Sequence, residues 1–153
     1  MRLKIYSKNN FVTEMQDRLI NDNTVEGIDE YFICIDSSGG DGAVPYFKQP
    51  HPNVIRETFD DVPKDIKKWG PDIQAYFNAI AITEEQAKNI VEFIRDIPFN
   101  SLVHIHCFKG ESRSKAVADF IDETILSNEI YDDGADDSGY YRIKELMEKQ
   151  WIS

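Results

Sequence analysis

The chain has 153 residues, a formal net charge of −11, 41% apolar and 29% charged residues, the make-up of one globular domain rather than of a disordered segment. No apolar run approaches the ~20 residues of a membrane-spanning helix, MRLKIYSKNNF lacks the apolar core of a signal peptide, and two cysteines exclude a disulfide framework. The sequence pI of about 4.6 weighs against a nucleic-acid partner, which requires a broad basic face. A cytoplasmic protein with no membrane and no nucleic-acid partner is expected. With three histidines and neither H-E-x-x-H nor C-x-x-C, no metal or other cofactor is expected.

In chain order, RLKIYS reads as a strand and is followed by a polar amphipathic helix near Asn10 to Ile20. EYFICID is β-rich and apolar, a buried strand, and it runs into SSGGDG, a glycine-rich turn that reads as a surface connection. NVIRETF is a further strand, ending in Asp60 and Asp61. Prolines and Gly70 bound short helical stretches over 62–82. TEEQAKNIVEFIRDI is the clearest helix: Thr83 and Gln86 have capping-box spacing, Ala87, Ile90, Val91 and Ile94 form one apolar face, and Pro98 stops it. SLVHIH reads as a central strand, apolar enough to be covered on both faces. RSKAVADFIDETIL and YYRIKELMEKQW have helical periodicity. Between them, the acidic run DDGADD does not match a calcium-binding loop and reads as a solvated turn. These elements predict one α/β domain over 1–153, a central, mainly parallel sheet flanked by helices.

HCFKGESRS, residues 106–114, lies between a strand and a helix, where open α/β sheets bind ligands. The backbone N–H groups of Phe108, Lys109, Gly110, Glu111, Ser112 and Arg113 precede the helical hydrogen-bond ladder and can converge on an anion. Gly110 lets the backbone curl tightly. Arg113 supplies a planar fork for two phosphate oxygens. Cys107 sits at the base of this cradle, placed for in-line attack on a bound phosphoryl group. Ser114 can hydrogen-bond its sulfur, and His106 can order the loop through a backbone hydrogen bond.

H-C-x5-R-S with a central glycine resembles the signature of the cysteine-dependent protein tyrosine phosphatases, in the form seen in dual-specificity enzymes and small bacterial and phage relatives. The likeness extends over about residues 30–126, with TEEQAKNIVEFI where the family has the helix before its catalytic strand. The resemblance implies metal-independent hydrolysis of phosphotyrosine, or also of phosphoserine and phosphothreonine, in a protein or peptide. Cys107 is then the nucleophile, Arg113 the phosphate clamp and Ser114 the helper of the departing sulfur. Phosphate, sulfate or vanadate-like anions would fill the loop. A rhodanese shares the idea of a cysteine in an anion-binding loop but not the G-x-S-R-S pattern, and low-molecular-weight phosphatases carry their cysteine near the N-terminus.

The family's general acid is an aspartate after an upstream strand. Asp60 and Asp61 are the candidates, with Asp61, further into the loop, favoured and Asp65 and Asp72 as fallbacks. The stretch KKWGPDIQAYF is either a flap over the site or an extra surface helix. Glu111 departs from the family's usual residue, and a carboxylate there predicts poor activity on phosphoinositides and nucleotides compared with phosphotyrosine peptides. Lys109 is expected at the rim. His104 reads as a satisfied core histidine and Cys34 as a core thiol that, if it reaches Cys107, forms a protective disulfide. Two further classes compete with the phosphatase: a phospho-binding module with the same cradle, and an RNA 5′-phosphatase, which the acidic surface disfavours.

Overall fold

A computed structural model of the chain describes residues 1–62, 79–126 and 139–152. Four strands, β1 (Arg2–Ser7), β2 (Tyr31–Asp36), β3 (Val54–Thr58) and β4 (Leu102–Cys107), form one parallel sheet in the order β1-β4-β2-β3. The helices are α1 (Lys8–Asp17), α2 (Glu84–Arg95), α3 (Arg113–Ile121) and α4 (Tyr140–Ile152). This is the α/β architecture with a central parallel sheet that the sequence predicts. Among the described residues, no helix is long and apolar enough to cross a membrane. Residues 63–78, which include Asp65, Asp72 and KKWGPDIQAYF, and the acidic run DDGADD fall outside the described residues.

Strand alternation divides the apolar residues between two layers. On one face Phe32 and Cys34 of β2 pack with Phe11 and Met15 of α1 and with Phe47 from the β2–β3 connection. On the other, Ile33, Ile35, Val103, Ile105 and Cys107 pack with the apolar stripes of α2, α3 and α4. The stripe of α2 is the one read from the sequence, and its capping box closes in both directions: the Gln86 amide N–H donates to Thr83 Oγ1 at 3.1 Å and the Thr83 N–H donates to Gln86 Oε1 at 3.0 Å.

The order of strands explains why helices cover both faces. From β1 through α1 the chain steps over β4 to reach β2; from β3 through α2 it steps back over β2 to reach β4. Right-handed crossovers running in opposite directions place their helices on opposite faces. At the carboxyl ends of the adjacent strands β1 and β4, α1 therefore leaves to one side and α3 to the other. The crevice between them is a topological switch point, where sheets of this class take ligands.

Candidate active site

Residues just beyond β2, β3 and β4 meet the β1–α1 junction at this crevice. After Cys107 the chain turns through Phe108–Ser112 and enters α3 at Arg113. Gly110 has φ 74°, a left-handed conformation in which any side chain is strained. Space excludes a side chain as well: a Cβ there would stand 2.7 Å from both the Ser7 nitrogen and the Tyr6 carbonyl carbon. The turn is fixed to the β1–α1 junction, where the Lys8 N–H donates to the Phe108 carbonyl at 3.1 Å.

At the floor of the turn lies the Cys107 sulfur, 1% exposed as a residue. The Gly110 N–H donates to it at 3.2 Å, and the Ser114 hydroxyl is 3.2 Å away. Ser114 is fully buried in the first turn of α3, so its hydroxyl has little freedom to turn elsewhere. Both groups are suited to a sulfur that carries negative charge.

Arg113 is also buried, 6% exposed. Its Nη1 donates to the Phe59 carbonyl at 2.8 Å, just beyond β3, and to Ser37 Oγ at 3.1 Å, just beyond β2. Among the described residues no protein group takes a hydrogen bond from Nε or Nη2. One prong of the fork is thus anchored and the other is not.

The glycine-rich turn is the surface connection read from the sequence, exposed from Ser38 to Asp41, but its last glycine, Gly42, is buried beside the signature turn. A Cβ on Gly42 would stand 2.9 Å from Ser37 Oγ and 3.2 Å from Phe108 Cδ2. The turn is tied inward by Lys8, 8% exposed, whose ammonium pairs with Asp36 Oδ1 at 2.7 Å and donates to the Gly42 and Val44 carbonyls.

The adjacent aspartates have different tasks. Asp60 is a latch: it accepts from the Ser38 N–H at 3.0 Å, the Ser38 hydroxyl at 2.5 Å and the Ile80 N–H at 2.8 Å. Burial pushes its carboxyl up, but those hydrogen bonds and the charge of Arg113 outweigh burial and hold it below the usual carboxylate range. A carboxylate so committed is a poor proton donor. Asp61 faces the signature turn, where its Oδ1 accepts from the Ser112 hydroxyl at 3.0 Å and from the Gly139 N–H at 2.6 Å.

The His106 ring lies within reach of the Cys107 backbone, whose hydrogen bond favours its protonated form, but neither ring nitrogen has a partner of good hydrogen-bond geometry. The ring stacks on Phe11 of α1 with centroids 4.3 Å apart. Burial, with Lys8 nearby, pushes it down to about 3, so the ring is neutral.

His104 is the satisfied core histidine foreseen: its Nε2 is 2.7 Å from Glu30 Oε1, its Nδ1 is 2.9 Å from the Tyr6 hydroxyl, and its ring stacks on Phe32. Cys34 is buried and its thiol is pushed up by burial. It pairs in register with His106 and shares the α1 layer, whereas Cys107 belongs to the opposite layer. Cys34 is thus the core thiol read from the sequence, and because the sheet separates the two cysteines it does not reach Cys107. Lys109 and Glu111 are both exposed on the signature turn.

Ser37, Lys8 and Gly139 escaped the sequence reading. For Ser37 and Gly139 no local pattern marks a contact with a distant loop. Lys8 left a trace: a cation in the first turn of a helix opposes the helix dipole, which hints at a partner elsewhere.

Comparisons of this chain with protein-family models, with curated proteins and with solved structures find no match.

Proposed function

We propose that the protein is a metal-independent phosphatase that hydrolyses phosphate monoesters of a protein or peptide through a phosphocysteine intermediate. The observation that carries this reading is the convergence on one sulfur of the Gly110 N–H and the Ser114 hydroxyl, beside a buried arginine with donors to spare. The resemblance of HCFKGESRS to the tyrosine and dual-specificity phosphatase signature supports it independently.

The phosphoryl group sits in the turn, its oxygens held by backbone N–H groups and by Nε and Nη2 of Arg113. The Cys107 sulfur attacks phosphorus, forming an S–P bond as the ester P–O bond breaks. Asp61 gives its proton to the leaving oxygen, a contribution of typically ~10²–10⁴ in rate. A water then attacks phosphorus and surrenders its proton to Asp61. The S–P bond breaks, and the Ser114 hydroxyl donates to the departing sulfur.

Glu111, exposed on the turn, adds negative charge at the mouth in a chain of net charge −11. Repulsion of polyanions favours phosphotyrosine peptides over phosphoinositides and nucleotides as substrates.

The test is turnover of p-nitrophenyl phosphate in the presence of a chelator by wild type, Cys107→Ser and Arg113→Lys. Activity in wild type and its loss in both variants is expected. Phosphate binding without turnover would replace the enzyme by a phospho-binding module. Comparable kcat/KM for a phosphotyrosine peptide and a phosphoinositide would remove the role given to Glu111.

A further inference from the structure

We propose that Gly139, the residue that opens α4, is a positioning residue for the Asp61 carboxyl, so that the C-terminal helix sets where the general acid stands. The inference rests on the phosphatase reading in that Asp61 is taken as the acid.

Three observations carry it. The Asp61 carboxyl is held through one oxygen, Oδ1, between the Gly139 N–H at 2.6 Å and the Ser112 hydroxyl at 3.0 Å. Among the described residues nothing hydrogen-bonds Oδ2, which leaves that oxygen to carry the transferable proton. One side of the grip belongs to the signature turn and the other to α4, so the acid is registered against the cradle and the helical layer at once.

Second, there is no slack at Gly139. A Cβ on it would stand 2.5 Å from Asp61 Oδ1 and 2.9 Å from the Val62 nitrogen. Gly139 is not among the residues with positive φ, so glycine is required by space rather than by backbone conformation.

Third, the helix behind Gly139 is a fixed reference. The Ile143 N–H donates to the Gly139 carbonyl at 3.0 Å, and the Tyr140 hydroxyl donates to Asp119 Oδ2 of α3 at 2.6 Å. Tyr140, Ile143 and Met147 are buried in the layer that also holds Cys107. A side chain at Gly139 must therefore move the acid, because the helix cannot easily retreat from a packed core. A misplacement of about 1 Å at a reacting group can cost ~10²-fold in rate.

The experiment compares wild type, Gly139→Ala and Asp61→Asn on p-nitrophenyl phosphate and on benzyl phosphate. Nitrophenolate leaves without protonation, whereas an alkoxide needs the acid. In Gly139→Ala, kcat/KM for benzyl phosphate should fall by ~10²-fold with a loss of less than about threefold for p-nitrophenyl phosphate, in the direction of Asp61→Asn. A helix that only supports the fold would lower both substrates equally, and that result overturns the inference. If Asp61→Asn itself shows no such preference, the acid assignment falls and the inference with it. If Asp61→Asn shows it and Gly139→Ala does not, only the positioning role is lost. Independently of turnover, the Gly139 amide proton resonance should follow the ionisation of Asp61 and lose that pH response in Asp61→Asn. An amide indifferent to Asp61 also overturns the proposal.

Discussion

Gly110 turns at φ 74° directly against Tyr6, whose carbonyl oxygen would lie 2.8 Å from any Cβ at that position. The signature turn is therefore moulded on the end of β1 as well as on its own strand. Gly110→Ala combines left-handed strain with a clash against backbone, which cannot rotate away as a side chain tip can. The variant should lose about 1–3 kcal/mol of stability and bind vanadate far more weakly than wild type. Chemical denaturation and a vanadate titration check this, and an alanine variant that binds vanadate normally would show that the turn is not so constrained.

The anchoring of Arg113 separates two kinds of loss. Arg113→Lys removes the fork and should weaken vanadate binding by ~10–100-fold, the worth of a charge-assisted pair of hydrogen bonds. Ser37→Ala removes only one ligand of Nη1 and should cost at most about tenfold. Isothermal titration of both variants orders them; a larger loss in Ser37→Ala than in Arg113→Lys would contradict the division of the guanidinium into an anchored and a free prong.

The buried neutral histidines make the fold sensitive to mild acid. The folded form of His106 is held down to about 3 against an ordinary value of 6.5. Below pH 6.5 the unfolded chain therefore gains a proton that folded His106 refuses, and stability falls as pH drops. From pH 7 to pH 5 the loss is about 2 kcal/mol for a fully buried histidine. His104 is displaced in the same direction by burial, against the pull of Glu30. Glu30, held down to about 2 by the Arg18 hydrogen bonds, and Asp60 act in a lower window: their contributions are lost only as pH falls below the ordinary values of 4.5 for Glu30 and 3.8 for Asp60. Urea midpoints at pH 7 and pH 5 should therefore converge in His106→Phe compared with wild type. An unchanged pH dependence would mean that His106 is not held neutral.

The division of cysteines between two layers predicts the course of oxidation. Peroxide should modify Cys107 without linking it to Cys34, because β2 and β4 direct the two thiols to opposite faces. Peptide mapping under non-reducing conditions checks this, and recovery of a Cys34–Cys107 disulfide from folded protein would contradict the layer assignment.

Much of the fold was legible in short-range pattern. EYFICID and SLVHIH carry continuous apolar character because both strands are central and covered on two faces. The α2 boundaries follow from the Thr83–Gln86 capping box, which is local chemistry. Less legible was anything requiring register between distant segments. Asp60 and Asp61 are chemically identical neighbours, and only the fold turns one toward Ser38 and Ile80 and the other toward Ser112 and Gly139. The glycine-rich turn gave no sign that Gly42 is wedged between Ser37 and Phe108. His106 is a related case: adjacency to Cys107 suggests a shared task, but alternation along β4 sends consecutive side chains to opposite layers.

Hydrolysis through a phosphocysteine requires that the Cys107 sulfur become covalently phosphorylated. Rapid acid quench of wild type during turnover of a phosphotyrosine peptide, followed by intact-protein and peptide mass spectrometry, reads this directly. One added phosphoryl group is expected, located on Cys107 and absent from Cys107→Ser. Steady turnover with no phosphoenzyme, or a phosphoryl group that persists in Cys107→Ser, would contradict it.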